Sequence, residues 1–232
     1  MFYLRLAVVV IWLVICFSFG TIMVLLSFGN PNWNRYMGII FSSLILKICG
    51  IRIEVEGLDE IEAHQPCIYV GNHQSMLDVV TYGHILPHRT VAIAKREVLW
   101  IPFFGLFFAG AGNIMIKREK KISAIAGLKR AIEDIKSRGV SVLIFPEGTR
   151  NKAGSGLLPF KKGAFHMAVM AKVPIVPIIS TSLNHVWSWE ERRLQPGLIR
   201  FKVLPPIDTS KYTADDINLL AEEVRRSMLA HL

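Results

Sequence analysis

The segment Pro66-Cys67-Ile68-Tyr69-Val70-Gly71-Asn72-His73-Gln74-Ser75-Met76-Leu77-Asp78 decides the fold of this chain. Its first part is a short apolar run of the kind that forms a buried strand, and its second part carries a histidine and an aspartate five residues apart. Within one helix five residues turn by about 500°, so positions 73 and 78 would point well apart. The two can meet only if His73 lies in the loop after the strand and Asp78 in the first turns of a following helix. A neutral imidazole takes a proton near neutral pH, and a carboxylate on its other nitrogen fixes the tautomer and stabilises the imidazolium. The segment therefore predicts a strand, loop and helix unit with a proton-handling pair at the strand exit.

Around it the same grammar repeats. Ile51–Glu56 alternates apolar and charged residues, as a half-exposed strand does. Thr90–Ala94, Asn113–Ile116, Val140–Phe145 and Pro174–Ile179 are short apolar runs between turn or charge signals, suited to strands covered on both faces. Ser123–Ser137 sets Ile125, Leu128, Ile132 and Ile135 on one helical stripe ended by Gly139. Gly163–Lys172 and Asp215–Leu232 read as further helices. Strands alternating with helices predict an α/β fold with a mostly parallel central sheet and helices on both faces.

The chain has 232 residues, 52% of them hydrophobic, and a formal net charge of +9; its mean hydropathy is +0.39. The apolar excess lies at the start. Leu6–Phe28 is a stretch of 23 residues without a charge, and about 20 suffice to cross a bilayer core. It is too long for the apolar part of a signal peptide, and no small-residue cleavage site follows. After the turn signal Asn30-Pro31-Asn32, Tyr36–Ile48 is about half a spanning length, which suits an interfacial, re-entrant or core helix. Residues 1–50 are thus expected to form a helical membrane anchor and residues 51–232 the α/β domain. Basic residues near a membrane segment favour the cytoplasmic side and an anionic lipid surface. Nucleic acid, the other common partner of a basic chain, is not indicated, because no long Lys/Arg run carries interleaved aromatics. Cys16, Cys49 and Cys67 have neither metal spacing nor a pairing pattern. His84 and His88 are four apart with Pro87 between them and no carboxylate to complete a site, so no metal is expected. The aromatic stretch Trp100–Phe108 reads as core or membrane-facing surface, and Trp187 and Trp189 as bilayer interface or loop.

Sites in open α/β sheets gather where strands end. Besides Gly71-Asn72-His73, the strand exits carry Lys95, Lys117 with Arg118, and Pro146-Glu147-Gly148-Thr149-Arg150. Cations at strand exits beside a histidine suit a phosphate held near a proton acceptor, Arg binding it bidentately and Lys as a point charge.

At this point a family resemblance can be named. Asn72 through Asp78 resembles the NHxxxxD signature of the glycerolipid acyltransferases. Gly112–Arg118 is similar to their second block, Phe145–Arg150 (FPEGTR) to the third and Val173–Ile178 to the fourth. Lys95–Gly105, Leu158–Phe165 and Leu204–Ile207 look like stretches of the bacterial 1-acyl-sn-glycerol-3-phosphate acyltransferases. The resemblance implies that His73 is the general base for the free hydroxyl of lysophosphatidic acid and that Asp78 orients it. The acyl donor would be acyl-CoA or acyl carrier protein, with no cofactor and no covalent enzyme intermediate. Arg118 and Arg150, with Lys95, would hold the acceptor's phosphate, and Glu147 its glycerol part. Gly148 would allow close backbone approach, and Asn72 and Thr149 complete the expected substrate-binding set. Backbone amides at the helix start after His73 are the expected oxyanion donors. The implied place is the bacterial cytoplasmic membrane, with the catalytic domain on the cytoplasmic side. The chain departs from the pattern at Lys117, where Asp or Ser is usual, and at Asn151, where Ser is common. Acylation of another lysophospholipid, thioester hydrolysis and simple lipid binding are the competing functions.

Overall fold

The computed structural model describes residues 2–117, 121–151 and 156–232. Two apolar helices come first, α1 (Phe2–Leu26) and α2 (Asn32–Cys49), joined by a turn in which the Asn30 side chain accepts from the Asn32 N–H at 3.0 Å. Gly50, in the left-handed region at φ 68°, closes α2 by donating its N–H to the Leu46 and Lys47 carbonyls. The chain then continues through β1 (Ile51–Glu56), α3 (Glu60–Ala63), β2 (Ile68–Gly71), α4 (Asp78–Ile85) and β3 (Thr90–Lys95). A 3-10 turn at Arg96–Trp100 leads to α5 (Phe104–Gly110), β4 (Ile114–Ile116), α6 (Lys121–Arg138) and β5 (Ser141–Ile144). Last come α7 (Gly163–Ala171), β6 (Ile175–Ser180), a hairpin of β7 (Trp187–Ser188) and β8 (Arg193–Leu194), β9 (Gly197–Val203) and α8 (Ile217–Leu229).

The main sheet runs β1-β9-β6-β2-β5-β3-β4. Every neighbouring pair is parallel except β6 with β9. The mostly parallel sheet expected from the sequence is therefore present. β2 lies at its centre, with Tyr69 level with Leu143 on one side and Val176 on the other. Alternate residues of these strands enter two cores. Tyr69, Leu143, Val176 and Ile178 pack with α1, α2, α4 and α5, whereas Ile68, Val70, Val142, Ile175 and Ile179 pack with α6, α7 and α8. The apolar runs of β2, β5 and β6 are continuous because both faces are covered.

β9 was not singled out in the sequence, although Ile199, Phe201 and Val203 are buried and alternate with Arg200 and Lys202. It enters the sheet between β1 and β6, and it is the strand that reverses direction against β6.

The first fifty residues are not separate from this architecture. Met37, Phe41, Ile45 and Cys49 give α2 a buried stripe, and they share one core with Tyr69, Ile178 and Phe201. One face of Tyr36–Ile48 thus lies in the core, while Tyr36 and Ile40 face outward. α2 meets α4 so closely that a Cβ on Gly38 would stand 2.3 Å from the Gly83 carbonyl oxygen. Among the described residues α1 is the one helix long and apolar enough to cross a membrane. It is also fastened to the domain at both ends. At its start Phe2 packs on Trp187 and Trp189, and Arg5 donates to the Leu194 carbonyl at 3.0 Å. Beyond its end the Gly29 N–H donates to the Gly110 carbonyl at 2.7 Å. Between these points Phe17 sits edge-on to Phe104 at 4.6 Å, and Leu4, Ile11, Ile15, Phe19, Ile22 and Leu25 face outward.

Candidate active site

β2 ends at Gly71, and α4 begins at Asp78 itself, so the strand, loop and helix arrangement expected from the spacing is the observed one. His73 lies in the connecting loop. Its Nδ1 is 2.6 Å from Asp78 Oδ2, and the same oxygen accepts the N–H groups of Gln74 at 2.7 Å and Ser75 at 2.9 Å. Asp78 has no exposed side-chain surface, whereas His73 keeps 21% of its own. A carboxylate so placed, in the first turn of a helix and under two amides, is met by backbone donors and the helix dipole. With Nδ1–H donating to it, the lone pair of His73 is on Nε2. Of the backbone amides around the helix start after His73, those of Gln74 and Ser75 are engaged by Asp78, and the Leu77 N–H by Ser75 Oγ at 3.2 Å.

The loop is pinned from three sides. Glu147, buried at the exit of β5, accepts the His73 N–H at 2.8 Å on one carboxylate oxygen and the Leu158 N–H at 2.9 Å on the other. Burial pushes its carboxyl up from the ordinary value, and the two amide donors pull it back. The Asn151 N–H donates to the His73 carbonyl at 2.7 Å. Asn72, fully buried, donates its amide to the Ser180 carbonyl at 3.0 Å and accepts the Ser180 N–H at 2.8 Å, which ties the loop to the end of β6. The Tyr82 hydroxyl, one turn beyond Asp78 on α4, donates to Asn72 Oδ1 at 3.0 Å. Burial, and then the charge of Asp78, push the Tyr82 phenol well above its ordinary value, so it stays a donor. The imidazole itself lies flat on Phe145, with ring centres 4.5 Å apart and planes 14° apart, and Tyr82 meets the same phenyl edge-on at 5.0 Å. Sequence reasoning assigned no role to Phe145, Tyr82 or Ser180. Phe145 stood inside a quoted block, but nothing in the residues announced a ring face under His73.

His73, Asp78 and Glu147 thus form one hydrogen-bonded unit, with Asn72 held beside it by Ser180 and Tyr82. Asn72 and Glu147, expected at the substrate, have their polar atoms turned inward on backbone groups. Gly148, at φ 69°, is covered by the Lys161 side chain: a Cβ there would stand 2.7 Å from Lys161 Cε and 2.9 Å from its Nζ. Thr149 and Arg150 follow it at the exposed rim, and Lys95 is exposed at the end of β3. Arg118 lies outside the described residues, as does residues 152–155 of the loop after Asn151. Lys117 is half-buried at the end of β4, its N–H donating to Ser123 Oγ at 3.2 Å. His84, four residues from His88, bonds Ser42 Oγ through Nδ1 at 2.8 Å.

The arrangement can take a proton at Nε2 from a group placed over a strand-exit rim that carries cations. A family model described as Acyltransferase matches residues 52–181, a span that contains every block quoted above except Leu204–Ile207. The chain is 38% identical over 225 residues to the 1-acyl-sn-glycerol-3-phosphate acyltransferase of Escherichia coli (strain K12), covering 97% of this chain and 90% of that protein. It is 46% identical over 181 residues to the 1-acyl-sn-glycerol-3-phosphate acyltransferase alpha of Mus musculus, covering 78% of this chain but 63% of that longer relative. The fold is similar to the crystal structure of the 1-acyl-sn-glycerophosphate acyltransferase of Thermotoga maritima, with a TM-score of 0.75, 23% identity and coverage of 99% and 95% of the two chains.

Proposed function

The chain belongs to the acyltransferase family, and on that premise we propose that it transfers an acyl group from a thioester to the sn-2 hydroxyl of 1-acyl-glycerol 3-phosphate, giving phosphatidic acid. The observation that carries this reading is the 2.6 Å contact between His73 Nδ1 and Asp78 Oδ2, which leaves Nε2 as the proton acceptor at the rim. His73 removes the hydroxyl proton as the oxygen attacks the thioester carbonyl. The new C–O bond forms, the C–S bond breaks, and the proton passes from Nε2 to the departing thiolate. Asp78 holds the tautomer and stabilises the imidazolium while the proton is on it. No enzyme-bound acyl group and no cofactor enter this scheme. The acyl donor is acyl-CoA or acyl carrier protein.

Lys95 and Arg150, with Arg118 by its sequence position, hold the acceptor's phosphate, and Thr149 faces the same ligand. Asn72 and Glu147 act through the loop they fix rather than by touching substrate. Holding acceptor and donor together contributes about 7–11 kcal/mol in well-oriented cases. α1 anchors the protein in the cytoplasmic membrane, on the side where basic residues are retained, so the acceptor reaches the site from the bilayer.

The test uses full-length protein reconstituted in liposomes with a labelled long-chain acyl-CoA or acyl carrier protein. Phosphatidic acid formed with lysophosphatidic acid, absent with lysophosphatidylcholine and lost in His73→Ala, is the expected result. Free fatty acid released without any acceptor would convert the reading to a thioesterase.

A further inference from the structure

The turn between β3 and α5 presents an apolar surface that neither the catalytic unit nor the core uses. Trp100 is 85% exposed, Leu106 64%, and Ile101 and Phe103 also face outward. Exposed apolar clusters of this kind mark interaction surfaces rather than ordinary protein exterior. The turn is built to hold them there. Phe103 is kept at φ 61°, a strained value for a bulky residue, and Thr21 Oγ1 of α1 donates to its carbonyl at 3.0 Å. Gly105 lets the turn fold back on itself, since a Cβ there would stand 2.5 Å from the Leu99 carbonyl oxygen. The inward residues of the same segment lock it to α1: Phe104 and Phe107 pack on Phe17, and a Cβ on Gly20 would stand 2.9 Å from the Phe107 ring.

We propose that Trp100, Ile101, Phe103 and Leu106 form a second membrane-insertion element, a wedge entering the same leaflet as α1. Two observations select a lipid leaflet as the occupant. The wedge is fastened through the Thr21 and Phe17 contacts to α1, whose opposite face is exposed and apolar. At its base Lys95 and Arg96 are exposed, at the depth where anionic headgroups meet the inserted rings. Aromatic rings beside cations suit the bilayer interface. Because Lys95 ends β3, the wedge sets the cationic rim at headgroup level, where a lipid phosphate resides.

The inference rests on α1 being the anchor, and the test separates the two. Cys16, Cys49 and Cys67 are buried, so single spin labels can be placed at Trp100→Cys, at Ile22→Cys on α1 and at exposed Lys211→Cys. On vesicles of phosphatidylethanolamine and phosphatidylglycerol, labels 100 and 22 are expected to become accessible to oxygen and shielded from a water-soluble nickel complex, with label 211 the reverse. Label 22 shielded while label 100 stays open to nickel would overturn the wedge and leave the anchor standing. Both staying open would remove the anchor and the wedge together. Spin–spin broadening at position 100 without vesicles would assign the patch to a second copy of the chain and overturn the proposal. In addition, Trp100→Ser is expected to raise the apparent KM for vesicle-borne lysophosphatidic acid about tenfold, equivalent to about 1.4 kcal/mol. Its KM for a short-chain, water-soluble acceptor stays unchanged; an equal rise with both acceptors would overturn the wedge.

Discussion

The His73 loop and the cationic rim occupy the same edge of the sheet and are built in opposite ways. Around His73 the groups are enclosed: Asp78 and Asn72 are fully buried, Glu147 nearly so, and they bond backbone groups of His73, Gln74, Ser75, Leu158 and, on β6, Ser180. At the rim, Lys95, Thr149 and Arg150 stand in solvent at the ends of β3 and β5. Proton transfer needs a fixed angle and distance, so its groups are held before substrate arrives. Phosphate recognition tolerates long, mobile side chains that order on the ligand. The first region should govern turnover and the second affinity.

The largest effect that could break this contrast is loss of the base. His73→Ala is expected to lower kcat by about 10³-fold or more while leaving vesicle binding intact, measured by turnover and by vesicle flotation. Asp78→Asn should fall almost as far, since an amide cannot accept from Nδ1 and from the Gln74 and Ser75 amides as the carboxylate does. Glu147→Gln tests whether the closed region acts through the loop. One of the two N–H acceptors becomes a donor, so a melting experiment should show a loss of about 1–3 kcal/mol, and kcat should drop more than KM rises. At the rim the pattern should invert: Arg150→Met is expected to raise KM for the acceptor about tenfold with kcat little changed, and added salt should weaken wild type more than the variant. An Arg150→Met enzyme with normal KM and low kcat would erase the distinction between the two regions.

The smallest effect concerns His84. Burial and then Arg35 lower its pKa from 6.5, so the folded state binds its proton less readily than the unfolded chain. Stability is full above 6.5 and is lost as pH falls below it towards the depressed value. A melting series from pH 7.5 to 5.5 should therefore be flatter for His84→Gln than for wild type.

What was legible in the sequence follows the same division between local and distant. The meeting of His73 and Asp78 could be derived because both lie in one loop and helix start, where five residues leave few geometries. The closing partners of that loop could not. Ser180 is 108 residues from Asn72 and Glu147 is 74 from His73, and no local pattern states which strand exits become neighbours. β9 shows why: its alternation was readable, but its place between β1 and β6 depends on pairing across the whole chain. The apolar start was legible in part. By length alone Leu6–Phe28 looks self-sufficient as a span, yet its Gly20, Thr21 and Phe17 are shaped to fit α5, a relation that hydropathy does not carry. The Gln74 and Ser75 amides face the carboxylate that the spacing itself brought to them.

The fastening of α1 also sets an order in time. Arg5 reaches the Leu194 carbonyl across 189 residues of sequence, so α1 leaves the ribosome well before the hairpin that clasps it. At 5–20 residues per second that interval is about 10–40 s. Throughout it α1 can already lie against α2 and α5 through Phe17, but its first turn lacks the hairpin that Phe2 and Arg5 finally meet.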